Sequence, residues 1–181
     1  MADNEHIHLI RLGVERWNEW RKANPGVVPD FRNADFTGVN LRGGDFRGAD
    51  FTRAVVRDVD LSWSNFVEAK MGWVEFGGAR LFGADFRKTF LGGADFRNAD
   101  LSWADFREAD FSWAYLGEAI LWRTFLRGAK HLTPQQLMRV KTLHGAQVDA
   151  AVLKSIRKKC PHLLEKSEDW KNFLPEGKGE R

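Results

Sequence analysis

Residues 30–54 read DFRNA DFTGV NLRGG DFRGA DFTRA, which is one five-residue motif written five times without a gap. A large apolar residue stands second in each motif, and a small residue, most often alanine, stands last. The rhythm continues without a slip to Leu126, so that twenty consecutive motifs each supply one apolar centre. A repeat of this length has to be interpreted before any other signal, because missing it would misassign the whole fold.

A period of five residues suits neither a straight helix nor a flat strand. On an α-helix successive centres would lie about 140° apart, and on a strand they would alternate between the two faces because five is odd. A chain that turns by the same angle after every motif points all its centres inward, and stacked coils then bury one continuous core. The predicted core ladder contains Phe31, Phe36, Leu41, Phe46, Phe51, Leu61, Phe66, Phe76, Leu81, Phe86, Leu91, Phe96, Leu101, Phe106, Phe111, Leu116, Leu121 and Leu126, with Val56 and Met71 at the remaining centres.

The motif resembles that of the pentapeptide-repeat family, A(D/N)LXX, and the resemblance covers about a hundred residues. It implies an all-β solenoid, specifically a right-handed quadrilateral β-helix with one face per pentapeptide and four pentapeptides per coil. Twenty centres then make about five coils. Coils spaced ~4.8 Å apart would form a rod roughly 24 Å long.

The start and the end of the rhythm divide the chain into four segments. Residues 29–130 are the predicted β-helix, and residues 1–28 and 131–166 are predicted as α-helical N- and C-terminal flanks. Residues 167–181 are predicted to form a flexible tail. Because the open end of a solenoid would stack with other chains, the flanks are expected to cover both ends.

Three helices are expected within the flanks, and the last of them begins at a cap at Asp149, runs through Val152, Leu153, Ile156 and Arg157 and ends near Pro161. Residues 3–23 carry an amphipathic pattern, and a helix over residues 134–144 would bury Leu137, Val140 and Leu143 against the end of the rod. That second helix would also cover an outward-pointing aromatic and aliphatic cluster near the end of the repeat, formed by Phe90, Tyr115, Ile120, Trp122 and Phe125.

Composition and flanking sequence favour a bacterial, cytoplasmic protein. A single cysteine, Cys160, excludes an internal disulfide framework and is typical of a reducing compartment. The N-terminus lacks the pattern of a secretory signal, and no apolar run approaches the length of a membrane span. The stretch WNEWRKANPGVVPDF is similar to the segment that precedes the repeats in many bacterial family members.

Four motifs per coil assign every outward side chain to a face, and tryptophan is concentrated on two of the faces. The face centred on the leucines is predicted to show Trp63, Phe82, Trp103 and Trp122, and the face around Met71 and Phe111 is predicted to show Trp73 and Trp113. Soluble monomers rarely expose so much aromatic surface. One interpretation is a partner or dimer surface with tryptophan anchors. The other is packing of these rings on neighbouring coils or beneath a terminal helix.

The sequence contains no pattern that predicts catalysis. Motifs for nucleotide binding, for a nucleophile elbow and for a zinc protease are absent. The recurring aspartates lack the nine-residue spacing of calcium-binding repeats, and most are followed two residues later by arginine or a small polar residue. We therefore expect neither an enzyme nor a bound cofactor or metal.

The predicted function is a non-catalytic protein-interaction scaffold with an unknown protein partner, and a homodimer is one possible assembly. The alternative implied by the family is a DNA mimic that modulates DNA gyrase or topoisomerase and confers quinolone resistance. Residues 29–130 carry fifteen acidic and fourteen basic residues, which disfavours a mimic of duplex DNA. Residues 131–181 have a net charge of +4, but binding of nucleic acid or of a membrane surface is not expected, since a charge run is usually a solvated face.

Overall fold

A computed structural model describes residues 3–166 of the chain. Parallel β-bridges join residues that are twenty positions apart, from Asp30 with Asp50 to Asp110 with Lys130. Within the described residues these contacts are isolated bridges and not longer strands, because each motif contributes a single bridge residue before the chain turns. The predicted tail at 167–181 lies outside the described residues.

The coil has four sides, since four motifs fill its twenty-residue period. Face A contains the centre Phe31 and every twentieth residue after it, and faces B, C and D begin likewise at Phe36, Leu41 and Phe46. The Phe31 amide donates to the Asp50 carbonyl over 2.8 Å, and the Asp50 amide donates back to the carbonyl of Pro29 over 2.9 Å. The same pair of bonds recurs along the rod and satisfies the backbone between coils.

All twenty centres point into the tube and are at most 2% exposed. On face D the phenyl rings form a column in which the Phe86 ring lies 4.9 Å from the Phe66 ring and 4.7 Å from the Phe106 ring. On face B the rings of Phe76 and Phe96 lie 4.7 Å apart and are almost parallel. Stacking at the coil repeat therefore packs the rings of each layer against those of the next.

Each motif turns through a residue with left-handed backbone geometry. The residue two positions after every centre has φ between 55° and 75°. Glycine adopts this conformation without strain, whereas a bulky side chain adopts it at a cost. Tryptophan nevertheless occupies four of these positions, Trp63, Trp73, Trp103 and Trp113. Each of these tryptophans therefore stands at a corner between two faces.

Two helices cap the N-terminal end where one was expected. Helix α1 (Asn4–Arg11) and helix α2 (Val14–Ala23) are separated at Gly13, whose φ of 117° a continuous helix cannot accommodate. From α2, the Asn18 side chain donates to the Gly43 carbonyl over 3.0 Å and accepts from the Asp45 amide over 2.8 Å. A side-chain amide thus replaces the missing neighbouring coil at this edge of face D.

The C-terminal flank differs from the predicted helical segment 131–166. Helix α3 (Pro134–Leu137) has only four residues, and the chain then returns to the ladder through bridges of Ile120 with Thr142 and of Phe125 with Gln147. The two residues of each of these bridges are twenty-two positions apart instead of twenty. The cause is the segment that contains α3, which replaces a face B motif and is two residues longer than it. The helix predicted over 134–144 therefore ends early, and a partial sixth coil follows it.

The end of the chain covers this partial coil. Leu137, Val140 and Leu143 are buried, as the helix interpretation had required, although only the first of them is helical. Helix α4 (Ala150–Lys159) and a short 3-10 helix (Pro161–Leu164) follow, and the Leu143 amide donates to the Leu163 carbonyl over 2.7 Å. No helix between residues 3 and 166 has the length and apolar content needed to cross a bilayer.

Paired carboxylates make the rod sensitive to acid. The Arg32 side chain donates to Asp30 over 2.6 Å and lowers the pKa of Asp30 to about 2. The hydrogen bond from Arg97 likewise lowers the pKa of Asp95. Because these folded-state values lie below the ordinary value of about 3.9, the stabilisation is complete well above pH 4 and is lost as the pH falls towards 2.

We expect the free energy of unfolding, measured by urea titration, to be constant from about pH 7 to 5 and to fall continuously between about pH 4 and 2. In an Arg97→Gln variant the fall should be smaller, because the side-chain hydrogen bond that does most to lower the pKa of Asp95 is then lost. A free energy of unfolding that does not change between about pH 5 and 2 would contradict this assignment.

Candidate interaction surface

The four corner tryptophans lie on two opposite edges of the rod. Trp63 and Trp103 belong to the corner between faces C and D, and Trp73 and Trp113 belong to the corner between faces A and B. On each edge a glycine, Gly83 or Gly93, stands between the two tryptophans, one coil from each.

On face C and its corner the aromatic rings pack against each other. The Trp63 ring lies 5.2 Å from the Phe82 ring, and the Trp103 ring lies 6.0 Å from the Trp122 ring in an edge-to-face contact. The Arg123 guanidinium lies over both indoles, 5.1 Å from the Trp103 ring and 4.8 Å from the Trp122 ring. These contacts bury much of the aromatic surface that the sequence predicted to be exposed to a partner.

The predicted partner surface is therefore corrected on this side. Trp122 is only 2% exposed and cannot contact a partner. Phe82 and Trp103 are half-buried, which leaves Trp63 as the exposed member of this group. These rings are buried because the coils are close together, so that an aromatic side chain on one coil reaches the aromatic side chain on the next coil and covers it.

Glycine in the next coil lets a corner tryptophan lie flat on the rod. A methyl group added at Gly93 would lie 2.7 Å from two atoms of the Trp73 ring and 2.9 Å from a third. Nearly equal distances to three ring atoms place Gly93 beneath the face of the indole and not at its edge. The opposite face of the Trp73 ring is consequently turned away from the rod.

Four exposed aromatic side chains lie along the corner between faces A and B and on the two faces beside it. We call this group the aromatic patch, and it consists of Trp73 (56% exposed), Phe90 (47%), Trp113 (78%) and Tyr115 (54%). Phe90 also rests on glycine, since a methyl group at Gly92 would lie 2.5 Å from its ring.

The sequence prediction included the two tryptophans of the patch but assigned Phe90 and Tyr115 to a cluster beneath a terminal helix. Helix α3 is too short to cover them, whereas Ile120 and Phe125 of the same cluster are half-buried. The alternation of tryptophan and glycine every twenty residues does not distinguish the two edges, since it occurs both as Trp73–Gly93–Trp113 and as Trp63–Gly83–Trp103.

A groove of about 690 Å³ adjoins the patch where α3 meets the rod. Trp113 and Tyr115 line one side, and Gln136 and Arg139 line the other. The Gln136 side chain holds α3 in place by donating to the Phe111 carbonyl over 3.0 Å and to the Ala114 carbonyl over 2.9 Å. The patch thus continues into a concave, partly basic surface.

Three of the five histidines contact other parts of the fold, whereas His8 and His162 are exposed. The His131 ring contacts the Asp110 carboxylate at 2.8 Å, and the His144 ring contacts the Leu164 carbonyl at 3.0 Å. His6 is buried against the rings of Trp20 and other aromatic residues of the cap. In the part of the chain that the structure describes, no three side chains of the metal-binding types come together as a metal site would require.

A family model for pentapeptide repeats matches residues 30–71, 75–112 and 109–130, with eight copies. These ranges coincide with the ladder of parallel bridges. No curated protein sequence matches the chain.

Solved structures with similar folds include other pentapeptide repeat proteins. Rfr23 from the cyanobacterium Cyanothece 51142 is 21% identical, with a TM-score of 0.48; the match covers 53% of this chain and 64% of Rfr23, which is just under two thirds of that protein. A trypsin-treated variant of QnrB1, a plasmid-mediated fluoroquinolone resistance protein, is 15% identical over 73% of this chain and 84% of its own, with a TM-score of 0.48. A protein from Nostoc Pcc 7120 is 26% identical over 75% of this chain and 95% of its own, with a TM-score of 0.29.

Proposed function

The chain belongs to the pentapeptide-repeat family, because the family model matches more than half of it, and from this premise we propose that it is a non-catalytic scaffold that binds another protein through the aromatic patch. Members of this family are generally structural or interaction proteins. The rod presents flat faces, and its interior is filled by side chains. Its function is therefore expected to depend on what its outer surface contacts.

The observation that carries this proposal is the exposure of Trp113 and Trp73 at left-handed turn positions. A bulky residue there costs on the order of 1–3 kcal/mol, and glycine would occupy the same position without strain. Packing does not offset this cost for Trp113, which is 78% exposed. Exposed tryptophan beside further aromatic rings is typical of a binding hot spot.

A capture experiment with matched variants tests the proposal. We expect Trp73→Ala and Trp113→Ala each to reduce the capture of a specific partner from the native host at least about tenfold, the loss expected for a hot-spot residue. Trp63→Ala is the control, because Trp63 has the same turn conformation and is 48% exposed on the opposite corner. Captured proteins would be identified by mass spectrometry, and far-UV circular dichroism would verify folding.

Equal capture by the wild type and both patch variants would overturn the proposal. Loss of capture in the Trp63→Ala variant alone would move the binding surface to the corner between faces C and D. Either result can be distinguished from unfolding by the unchanged dichroism spectrum.

DNA mimicry is not favoured by the charges on the rod. On face D the Asp85 and Asp105 carboxylates accept from Arg87 and Arg107 at 2.7 Å and 2.5 Å. A mimic of duplex DNA requires a strongly negative surface, and these arginines neutralise it. We accordingly expect no protection of DNA gyrase from a quinolone in a supercoiling assay.

A further inference from the structure

The outward ladder of face A carries its charges in a self-complementary order. Consecutive parallel bridges connect its six residues into one line along the rod, and these residues are Asp30, Asp50, Lys70, Phe90, Asp110 and Lys130. One coil away from Phe90, the line has Lys70 on one side and Asp110 on the other. Two coils away, it has Asp50 on one side and Lys130 on the other. A two-fold axis through Phe90, perpendicular to the rod, would therefore bring opposite charges together at both distances.

We propose that face A is the interface of an antiparallel homodimer, in which this axis relates the two rods. Lys70 then meets the partner's Asp110, and Asp50 meets the partner's Lys130. The two-fold axis places the charged line of face A opposite the same line of the second chain. Because the axis makes each of these two contacts occur twice, four ion pairs form at once. Phe90 meets the partner's Phe90 at the centre.

The side chains needed for these pairs are available in the single chain. Lys70 and Lys130 are exposed and form no ion pair within residues 3–166. Asp110 is half-buried, and its contacts to Ser112 and His131 use one carboxylate oxygen, Oδ1. The other oxygen is free to accept from a lysine of the second chain.

Small residues beside Phe90 let its ring lie flat on face A. The residues after the central centres are Gly72, Gly92 and Ser112, and the Phe90 ring lies over both glycines, since a methyl group at Gly72 or Gly92 would lie 3.0 Å or 2.5 Å from it. Along the neighbouring corner, the same axis brings Trp73 opposite the partner's Trp113. In this dimer the second chain therefore covers three exposed rings of the patch, Phe90 on face A and Trp73 and Trp113 at its corner.

The corresponding lines on faces C and D do not have this property. On face C a two-fold axis through Arg80 would place Arg80 opposite its own copy and Asp60 opposite the partner's Asp100. On face D an axis through Asp85 would place that carboxylate opposite itself. On face B an axis through Glu75 would likewise place that carboxylate opposite its own copy. Because like charges facing each other destabilise an interface, the ladder line of face A is favoured over those of the other three faces.

This inference rests on the proposed function, because it assigns a second copy of the chain as one partner of the aromatic patch. A face of five coils is about 24 Å long and only one pentapeptide wide, so its area is smaller than the roughly 800 Å² per partner of a standard interface. We therefore expect a weak dimer with a dissociation constant in the micromolar range or above, which forms at high protein concentration and weakens with salt.

Sedimentation equilibrium over a wide concentration range tests the dimer through charge reversal. We expect Lys70→Glu and Asp110→Lys each to weaken self-association at least tenfold, because each creates two repulsive pairs across the axis. Mixing the two variants should restore association, since the introduced glutamate of one chain then faces the introduced lysine of the other. Arg80→Glu, the same charge reversal on face C, should have no effect.

A wild-type chain that remains monomeric at millimolar concentration would overturn the dimer, as would a dimer that both reversals leave unchanged or that mixing fails to restore. If the chain is monomeric while Trp113→Ala still abolishes capture of another protein, the dimer fails and the proposed scaffold function stands. If charge reversal controls a dimer but no other protein depends on the patch, the dimer stands and the proposed function is limited to self-association.

Discussion

Replacing Trp17 with alanine is expected to lower the free energy of unfolding by about 3–5 kcal/mol. Trp17 of α2 is fully buried and closes the N-terminal end of the tube. Its ring lies 5.3 Å from the Phe31 ring and 5.9 Å from the Phe46 ring, and its indole nitrogen donates to the Asp45 carbonyl over 2.9 Å. Alanine would open a cavity above the first coil and leave that carbonyl without its donor.

Urea unfolding followed by far-UV circular dichroism measures this loss, and a thermal midpoint lower by about 2–4 °C per kcal/mol should accompany it. Trp20→Ala is the control, since Trp20 stacks on Trp17 at 5.2 Å but is only half-buried, and it should cost clearly less. The uncovered end should also promote end-to-end association, visible by light scattering. A loss below about 1 kcal/mol in Trp17→Ala would show that the end of the tube does not need this ring.

The inward half of this rod could be predicted from sequence because a single physical rule controls it. A five-residue period can be buried only by a coil, so the position of Phe86 or Leu101 in the motif determines that it faces inward. The outward half follows no such rule. Whether an outward ring is exposed depends on which neighbour leans over it, and that is a property of two coils together.

Trp122 and Trp113 illustrate the difference. Both are outward by the repeat, yet Trp122 is covered by Trp103 and Arg123, while Trp113 is 78% exposed. The glycine at position 93 permits the Trp73 ring to lie flat on the next coil, but Gly83 does the same for Trp63, so the glycines do not separate the two edges. A prediction by faces alone could not distinguish these cases.

The flanks were less predictable because the repeat no longer constrains them. Thr142 and Gln147 join the ladder with a spacing of twenty-two residues, which no extension of the five-residue rhythm would reveal. The break at Gly13 depends on how α2 must lie across the first coil so that Asn18 can reach its edge. In both places the end of the rod, and not local helix preference, decides where the helices stop.

Phe86→Ala should cost about 3–5 kcal/mol, an effect comparable to that of Trp17→Ala but located in the middle of the rod. The Phe86 ring stacks almost parallel between Phe66 and Phe106, at 16° and 8°, and meets the Phe76 ring edge to face at 5.9 Å. Alanine would remove two stacked contacts and two edge-to-face contacts at once, the second of these being with the Phe96 ring at 6.4 Å. A solenoid cannot distribute this loss, because each coil contacts only its immediate neighbours.

Phe86→Leu separates the loss of volume from the loss of the aromatic ring. Leucine occupies every centre of face C without exposure, so the coil geometry accepts it, and we expect this variant to cost less than half as much as alanine. The alanine variant should also unfold with a shallower urea dependence, because the weakened layer lets the two halves of the rod separate as cooperative units. Equal losses for leucine and alanine would mean that ring stacking, and not filled volume, holds the layers together. A loss below about 1 kcal/mol in both would contradict the description of the phenylalanine column as the core.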